Sequence, residues 1–184
     1  GRNSFVVDLG SRINVSGSLT VSDFAKKAAD AGHETKYVPR KNRLHVGGVG
    51  SDNATCDYEA LIPIGVQFED QAPTLEVFKT NIAQGCGETL PAIFGADSMQ
   101  DKDSVLILRR GKEMLVFPGP GGYKIQWSPG TKLLPMIPAP SGHLVVPCDN
   151  FAGPSRAGKT SEHISFWTDH STVFMDGPQV QGVE

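Results

Sequence analysis

Only one segment of this chain has the pattern of a helix, and its other apolar runs are short and end at glycine or proline. Thr20 to Ala31 repeats apolar residues at helical spacing, begins with a Thr20-x-x-Asp23 capping box and is followed by Gly32. Elsewhere the runs recur roughly every 8–12 residues and alternate apolar with polar side chains, which is typical of β-strands. We therefore predict a mainly β fold, in the form of a small barrel or sandwich.

Most of the predicted strands lie in the first two thirds of the chain. They are Ser4–Val7, Ile13–Val15, Arg43–Val46, Leu61–Phe68, Thr74–Lys79 and Leu90–Gly95. Val105–Leu108 and Met114–Phe117 are predicted to pair as a hairpin, and His143–Val146 is predicted to add one edge strand.

The composition changes at Pro118. Of the 13 prolines, 8 lie between Pro118 and Pro154. Because proline has no backbone N–H donor, a central sheet cannot continue through this stretch. We predict a β-rich domain over residues 1–127 and, over 128–184, a Pro/Gly-rich linker with a polar, largely irregular tail.

Charge and cysteine content exclude several classes of protein. With 17 basic and 20 acidic residues the net charge is −3, which disfavours a nucleic-acid partner. No apolar run is long enough to span a bilayer and no signal segment opens the chain, so we expect no membrane association. Three separated cysteines without a C-x-x-C pair predict reduced thiols and an intracellular, cytoplasmic location. Because the chain begins with Gly1, we expect it to be a piece of a longer protein.

Asp8 is the first candidate for chemistry. It ends an apolar, β-branched run and is followed by Gly10, so a rigid strand would deliver a carboxylate to a loop whose backbone N–H groups can approach it. Acid catalysis of amide hydrolysis requires two carboxylates that share one proton. A single aspartate therefore needs a partner supplied by two-fold symmetry.

Three segments, in order, resemble the retropepsins, the single-Asp aspartic peptidases of retroviruses and retrotransposons. Phe5–Ser11 resembles the catalytic signature, Leu44–Gly50 resembles the glycine-tipped flap, and Ala92–Asp97 resembles the segment beside the active-site loop that opens a short helix. The resemblance covers residues 4–127. Ser141–Cys148 also looks like part of a retrotransposon polyprotein.

The resemblance implies a closed β-barrel of the acid-protease type with a flap hairpin and one or two short helices. It implies that Asp8, once from each subunit of a homodimer, activates a water that attacks a peptide carbonyl. The implied substrate-binding residues are Gly10, Val46, Gly47, Gly48, Val49 and Gly50. It also implies no metal or cofactor, a polypeptide substrate that includes the protein's own polyprotein, and retroelement particles within the cytoplasm as one location.

A second hypothesis is a catalytically inactive module of the same fold that serves in dimerisation or peptide binding. Leu9 stands where the family has Thr or Ser, and therefore lacks the hydroxyl that links the two loops across the dimer. We also expect the seven residues ahead of Asp8 to limit dimerisation, since family members have a longer N-terminal segment. Asp8, Gly10 and the flap glycines favour the enzyme.

Two further patterns are weaker. Gly153–Thr160 matches the G-x-x-x-x-G-K-[ST] phosphate-binding pattern, but it does not directly follow a strand, and 24 residues after Thr160 are too few for the required parallel sheet. His163 and His170 lack the further ligands that zinc needs. We predict a solvated segment here.

Overall fold

The computed structural model describes residues 3–47 and 53–149, and these are mainly β. The strands are β1 (Phe5–Asp8), β2 (Val15–Gly17), β3 (Lys36–Val46), β4 (Ala54–Val66), β5 (Thr74–Ala83), β6 (Ala92–Gly95), β7 (Val105–Ile107), β8 (Met114–Val116), β9 (Ile137–Pro138) and β10 (Leu144–Val145). The helices are α1 (Ser18–Asp30), α2 (Ala96–Gln100) and a short 3-10 helix (Gly85–Gly87). The predicted mainly β class with few helices is confirmed.

Six strands form one mixed sheet in the order β1-β6-β2-β5-β4-β3. The β1–β6 and β2–β5 pairs are parallel, whereas β2–β6, β4–β5 and β3–β4 are antiparallel. Within the described residues no pairing joins β1 to β3, so the sheet has two edges there. The predicted closed barrel is therefore not found in this part of the chain, because the strands at the two ends of the order do not pair.

Helix α1 covers one face of the sheet. It buries Val21, Phe24 and Ala28, which join a core cluster with apolar residues of the sheet. The other members of that cluster are Ala60, Ile62, Phe78, Ile82, Ala92, Phe94 and Met99. The helix ends at Asp30, the predicted stop residue Gly32 follows in the left-handed conformation (φ +83°), and the His33 N–H donates to the Ala28 carbonyl at 2.8 Å.

The start of α1 differs from the predicted capping box. The helix begins at Ser18, and the Thr20 hydroxyl donates to the Leu90 carbonyl at 2.7 Å instead of capping the helix. At this end the Leu19 N–H donates to the Glu88 carbonyl at 3.0 Å. The carbonyl of Glu88 thus accepts a hydrogen bond from the Leu19 amide, which a capping side chain would otherwise accept.

Two small hairpins follow the sheet. Strands β7 and β8 pair antiparallel, as predicted, with Leu106 opposite Leu115, and β9 pairs with β10. The described residues up to Pro147 belong to one compact unit. The predicted domain boundary at residue 127 stays a prediction; the structure adds that β9 and β10 share a unit with the sheet. No helix in the described ranges has the length and apolarity to cross a membrane.

Candidate active site

Asp8 is the last residue of β1 and is half-buried. Strand β1 runs parallel to β6, which sets Asp8 opposite Gly95. At the other end of β1, the Phe5 ring lies against Phe78 and Phe94, with centroid distances of 5.5 and 5.4 Å. The carboxylate is therefore attached to a strand anchored both by a neighbour in the sheet and by aromatic core contacts.

The loop after Asp8 folds back onto its carboxylate. The Gly10 N–H donates to Asp8 Oδ1 at 2.8 Å, and the Ser11 N–H donates to the Asp8 carbonyl at 3.3 Å. A Cβ atom on Gly10 would lie 3.1 Å from Asp8 Oδ1 and would crowd it. The turn thus holds one carboxylate oxygen by a charge-assisted hydrogen bond and leaves little space for a side chain at residue 10.

The first residues of helix α2 donate hydrogen bonds to this loop. The Ala96 N–H donates to the Ser11 carbonyl at 2.8 Å, and the Asp97 N–H donates to the Arg12 carbonyl at 2.9 Å. Arg12 Nε also lies 3.2 Å from Asp97 Oδ2, in an exposed ion pair. The approach is close, since a Cβ on Gly95 would lie 2.5 Å from the Ile13 carbonyl carbon and oxygen.

Asn14, immediately ahead of β2, links β5 and β6. Its Oδ1 accepts from the Gly95 N–H and its Nδ2 donates to the Lys79 carbonyl, both at 2.8 Å. Its backbone carbonyl accepts from Asn81 Nδ2, also at 2.8 Å. Sequence reasoning missed Asn14; the available signal was an asparagine between Ile13 and Val15, since asparagine is depleted in strands unless its amide has a local role.

Two of the predicted substrate-binding residues, Val46 and Gly47, lie at and just after the end of β3, which is at the opposite edge of the sheet order from β1. Val46 ends β3 and packs against the buried cluster that includes Cys56, and the exposed Gly47 follows it. Gly48, Val49 and Gly50 lie outside the described residues. The structure thus brings together Asp8 and Gly10, and it gives Val46 a place in the core.

The stem of the β3–β4 hairpin is well paired. Arg43 on β3 and Asp57 on β4 form two hydrogen bonds, of 2.7 and 3.1 Å, and these bonds raise the pKa of the Arg43 guanidinium. On the buried side, desolvation raises the pKa of the Cys56 thiol, which keeps it protonated in the core. The ion pair across the stem and the buried Cys56 support a defined hairpin leading to Gly47.

Leu9 is directed away from the core. Its side chain is 44 % exposed, and it borders an apolar groove whose other walls include Met99, Leu115, Met136 and Leu144. A leucine in this position offers apolar surface and no hydrogen bond. The departure from the retropepsin signature therefore lies at the surface beside the candidate catalytic carboxylate.

His143 is the second residue that sequence reasoning missed. Its Nε2 lies 2.9 Å from the Gly10 carbonyl oxygen, although 133 positions separate the two residues. Pro140-Ser141-Gly142 indicated a turn here, but nothing in the sequence places that turn on Gly10. Gly153–Thr160, His163 and His170 lie outside the described residues.

No protein-family model, curated protein or solved structure matches the chain. In the described part, no group of three His, Cys, Asp or Glu side chains is arranged to hold a metal ion. A function for this chain is therefore inferred from the geometry around Asp8.

Proposed function

We propose that the chain is a retropepsin-like aspartic endopeptidase that acts as a homodimer, on polypeptides that include its own polyprotein. One observation carries the proposal: the Gly10 N–H donates to Asp8 Oδ1 at 2.8 Å, in a loop that joins the end of β1 to a close contact with α2. The hydrogen bond from Gly10 to Asp8 is by itself an Asx-turn, which aspartates commonly form; the feature that goes beyond such a turn is that the Ala96 and Asp97 N–H groups of α2 donate to the same loop. A carboxylate held by backbone on a rigid strand is suited to proton transfer.

In this mechanism each protomer supplies one Asp8, and the two carboxyl groups share one proton. The ionised carboxylate accepts a proton from a water as the water oxygen bonds to the scissile carbonyl carbon, while the other Asp8 donates its proton to the carbonyl oxygen. The tetrahedral diol then breaks its C–N bond: the first Asp8 gives the proton it took from water to the leaving amine, and the second Asp8 takes a hydroxyl proton as the carbonyl re-forms, so the pair again shares one proton. The Gly10 N–H fixes the carboxylate orientation throughout.

The position of β1 supports pairing of two protomers at this site. It is an edge strand of the sheet order, and its Val6 side chain is 49 % exposed. An exposed apolar side chain two residues before Asp8 gives a second copy a surface to cover. Two-fold pairing at this edge would bring the two Asp8 residues close together.

The inactive module stays the second candidate, and Leu9 is the observation that favours it. Leucine has no hydroxyl, so this side chain, which is 44 % exposed, cannot make the hydrogen bond that the resemblance implies between the two loops. Such a module would dimerise and bind peptides without hydrolysing them.

The full chain and its Asp8→Asn variant separate the two. The substrates are peptides copied from the chain's own sequence together with a peptide library, scanned from pH 3 to pH 8, with the dimer followed by sedimentation. The enzyme hypothesis predicts cleavage with an acidic optimum, a loss of at least about 10²-fold in Asp8→Asn, and unchanged dimerisation. Asp23→Asn, on the exposed face of α1, is the matched control and should cleave normally. No Asp8-dependent cleavage at any pH, with dimers present, would establish the inactive module.

A further inference from the structure

We propose that the β9–β10 hairpin clamps the loop after Asp8, with His143 as the positioning residue. The proposal rests on the proposed function, because the loop that is clamped is the candidate active-site loop. It extends that function to a segment that sequence reasoning assigned to the linker and to a side chain outside the retropepsin resemblance.

The hydrogen bonds of His143 define the orientation of its ring. A carbonyl oxygen only accepts, so the proton on Nε2 must be the one donated to the Gly10 carbonyl at 2.9 Å. On the other side of the ring, Nδ1 lies 2.8 Å from Ser141 Oγ. In the neutral imidazole the Ser141 hydroxyl donates to Nδ1, and in the imidazolium Nδ1–H donates to that oxygen. Both contacts therefore exist in either protonation state.

Two neighbours of His143 contact the same region. Gly142 has a φ of +83°, and a Cβ on it would lie 2.9 Å from Arg12 Cδ and 3.0 Å from Arg12 Nε. On the other side of His143, Leu144 lines the apolar groove that Leu9 borders. His143 thus contacts Gly10, Gly142 lies close to Arg12, and Leu144 lines the same groove as Leu9.

The hairpin that presents these residues is itself well defined. The Ala139 N–H donates to the His143 carbonyl and the Gly142 N–H donates to the Ala139 carbonyl, both at 2.8 Å. Leu144 then pairs with Pro138, whose ring fixes one backbone dihedral. A constrained turn loses little entropy when it holds another segment.

The clamp restricts the backbone of Gly10. Its N–H is held by Asp8 Oδ1 and its carbonyl by His143, so both sides of the most flexible residue type in the loop are fixed. Leu9 cannot make the hydroxyl bridge that the resemblance implies across the dimer. His143 supplies support to the next residue from within the same chain, and small errors in carboxylate position are costly in catalysis.

The full chain tests the clamp with His143→Ala and His143→Gln. Glutamine keeps an N–H that can reach the Gly10 carbonyl and an oxygen that can accept from Ser141, whereas alanine keeps neither. His33→Ala, beyond the end of α1, is the control for loss of an imidazole. Two quantities are measured: hydrogen exchange at the Gly10 amide by NMR, and kcat and KM on a cleaved peptide.

We expect His143→Ala to speed exchange at the Gly10 amide by about tenfold and to lower kcat by a similar factor with KM nearly unchanged, since one hydrogen bond to the loop is lost. In His143→Gln the exchange rate and kcat should stay close to those of the parent, and in His33→Ala both should be unchanged. Unchanged exchange in His143→Ala would overturn the clamp, whether or not the chain cleaves peptides. A higher kcat or a lower KM in His143→Ala would also overturn it, because His143 would then be competing with substrate for Gly10. If no Asp8-dependent cleavage is found, the proposed function is contradicted but the clamp is not. The rate of hydrogen exchange at the Gly10 amide then still tests the clamp.

Discussion

At the scale of single residues, close backbone approaches explain why particular glycines are required. A Cβ on Gly17 would lie 2.2 Å from the Glu88 carbonyl oxygen, and one on Gly95 would lie 2.5 Å from the Ile13 carbonyl group. The resemblance to retropepsins pointed to Gly95, but nothing in the sequence pointed to Gly17. A close approach depends on the path of a distant segment, and a single sequence does not contain that path.

We therefore expect Gly95→Ala to destabilise the chain by about 1–3 kcal/mol, since the added methyl meets backbone that cannot rotate away. The displaced Ile13 backbone is continuous with the loop after Asp8, so the proposed function predicts that cleavage also falls. Denaturant unfolding of the variant and the parent measures the first effect. Gly65→Ala is the matched control, because a Cβ there meets nothing within 4 Å. Equal stability of the two variants would show that the sheet accommodates the Gly95 methyl.

At the scale of elements, the periodicity of apolar residues predicted the helix and strands that bury one face. It missed strand residues that are defined only by hydrogen bonding to a neighbouring strand. The apolar face of α1 and the β7–β8 hairpin were predicted from local pattern. The first part of β3, from Lys36 to Asn42, was not predicted, because its side chains are mostly exposed and do not alternate. It is a strand because β4 lies beside it, with Tyr37 opposite Ala60. Edge strands of this kind are defined by backbone hydrogen bonds that leave little trace in composition.

The parallel contact between β2 and β5 contains a polar pair that gives an element-level prediction. Ser16 Oγ and Thr80 Oγ1 lie 2.9 Å apart, and both residues are 1 % exposed. Thr80→Val keeps the shape but leaves the Ser16 hydroxyl without this partner, so it should cost about 1–3 kcal/mol.

The double variant Ser16→Ala/Thr80→Val removes both hydroxyls and should be less destabilised than the sum of the two single variants. Chemical denaturation of all four proteins measures the coupling. Additive losses would show that the two hydroxyls do not depend on each other.

At the scale of the whole molecule, the fold class followed from the sequence and the arrangement did not. Short alternating runs indicated β structure, yet the strand order and the contact between His143 and Gly10 join residues far apart in the chain. The prolines after Pro118 correctly indicated that the central sheet stops, since only the β9–β10 pair follows β8 in the described residues. They did not indicate that this pair returns to the Asp8 loop, because a turn signal carries no information about its distant partner.

The proposed site is shared between two copies of the chain, and mixing two proteins tests this directly. If each site needs two Asp8 carboxyl groups, a subunit carrying Asp8→Asn disables any dimer it enters. Parent and variant, allowed to exchange at equal concentrations, would form random dimers, of which about one quarter contain two intact aspartates. Specific activity per total protein should then fall to about one quarter of that of the parent alone, whereas subunits acting independently would give about one half. The same mixture made with Asp23→Asn should keep full activity, since that carboxylate is exposed on α1 and makes none of the hydrogen bonds of the loop after Asp8. A value of one half with Asp8→Asn, in dimeric mixtures whose subunits are shown to have exchanged at random, would mean that one Asp8 suffices and that the shared-proton mechanism is wrong.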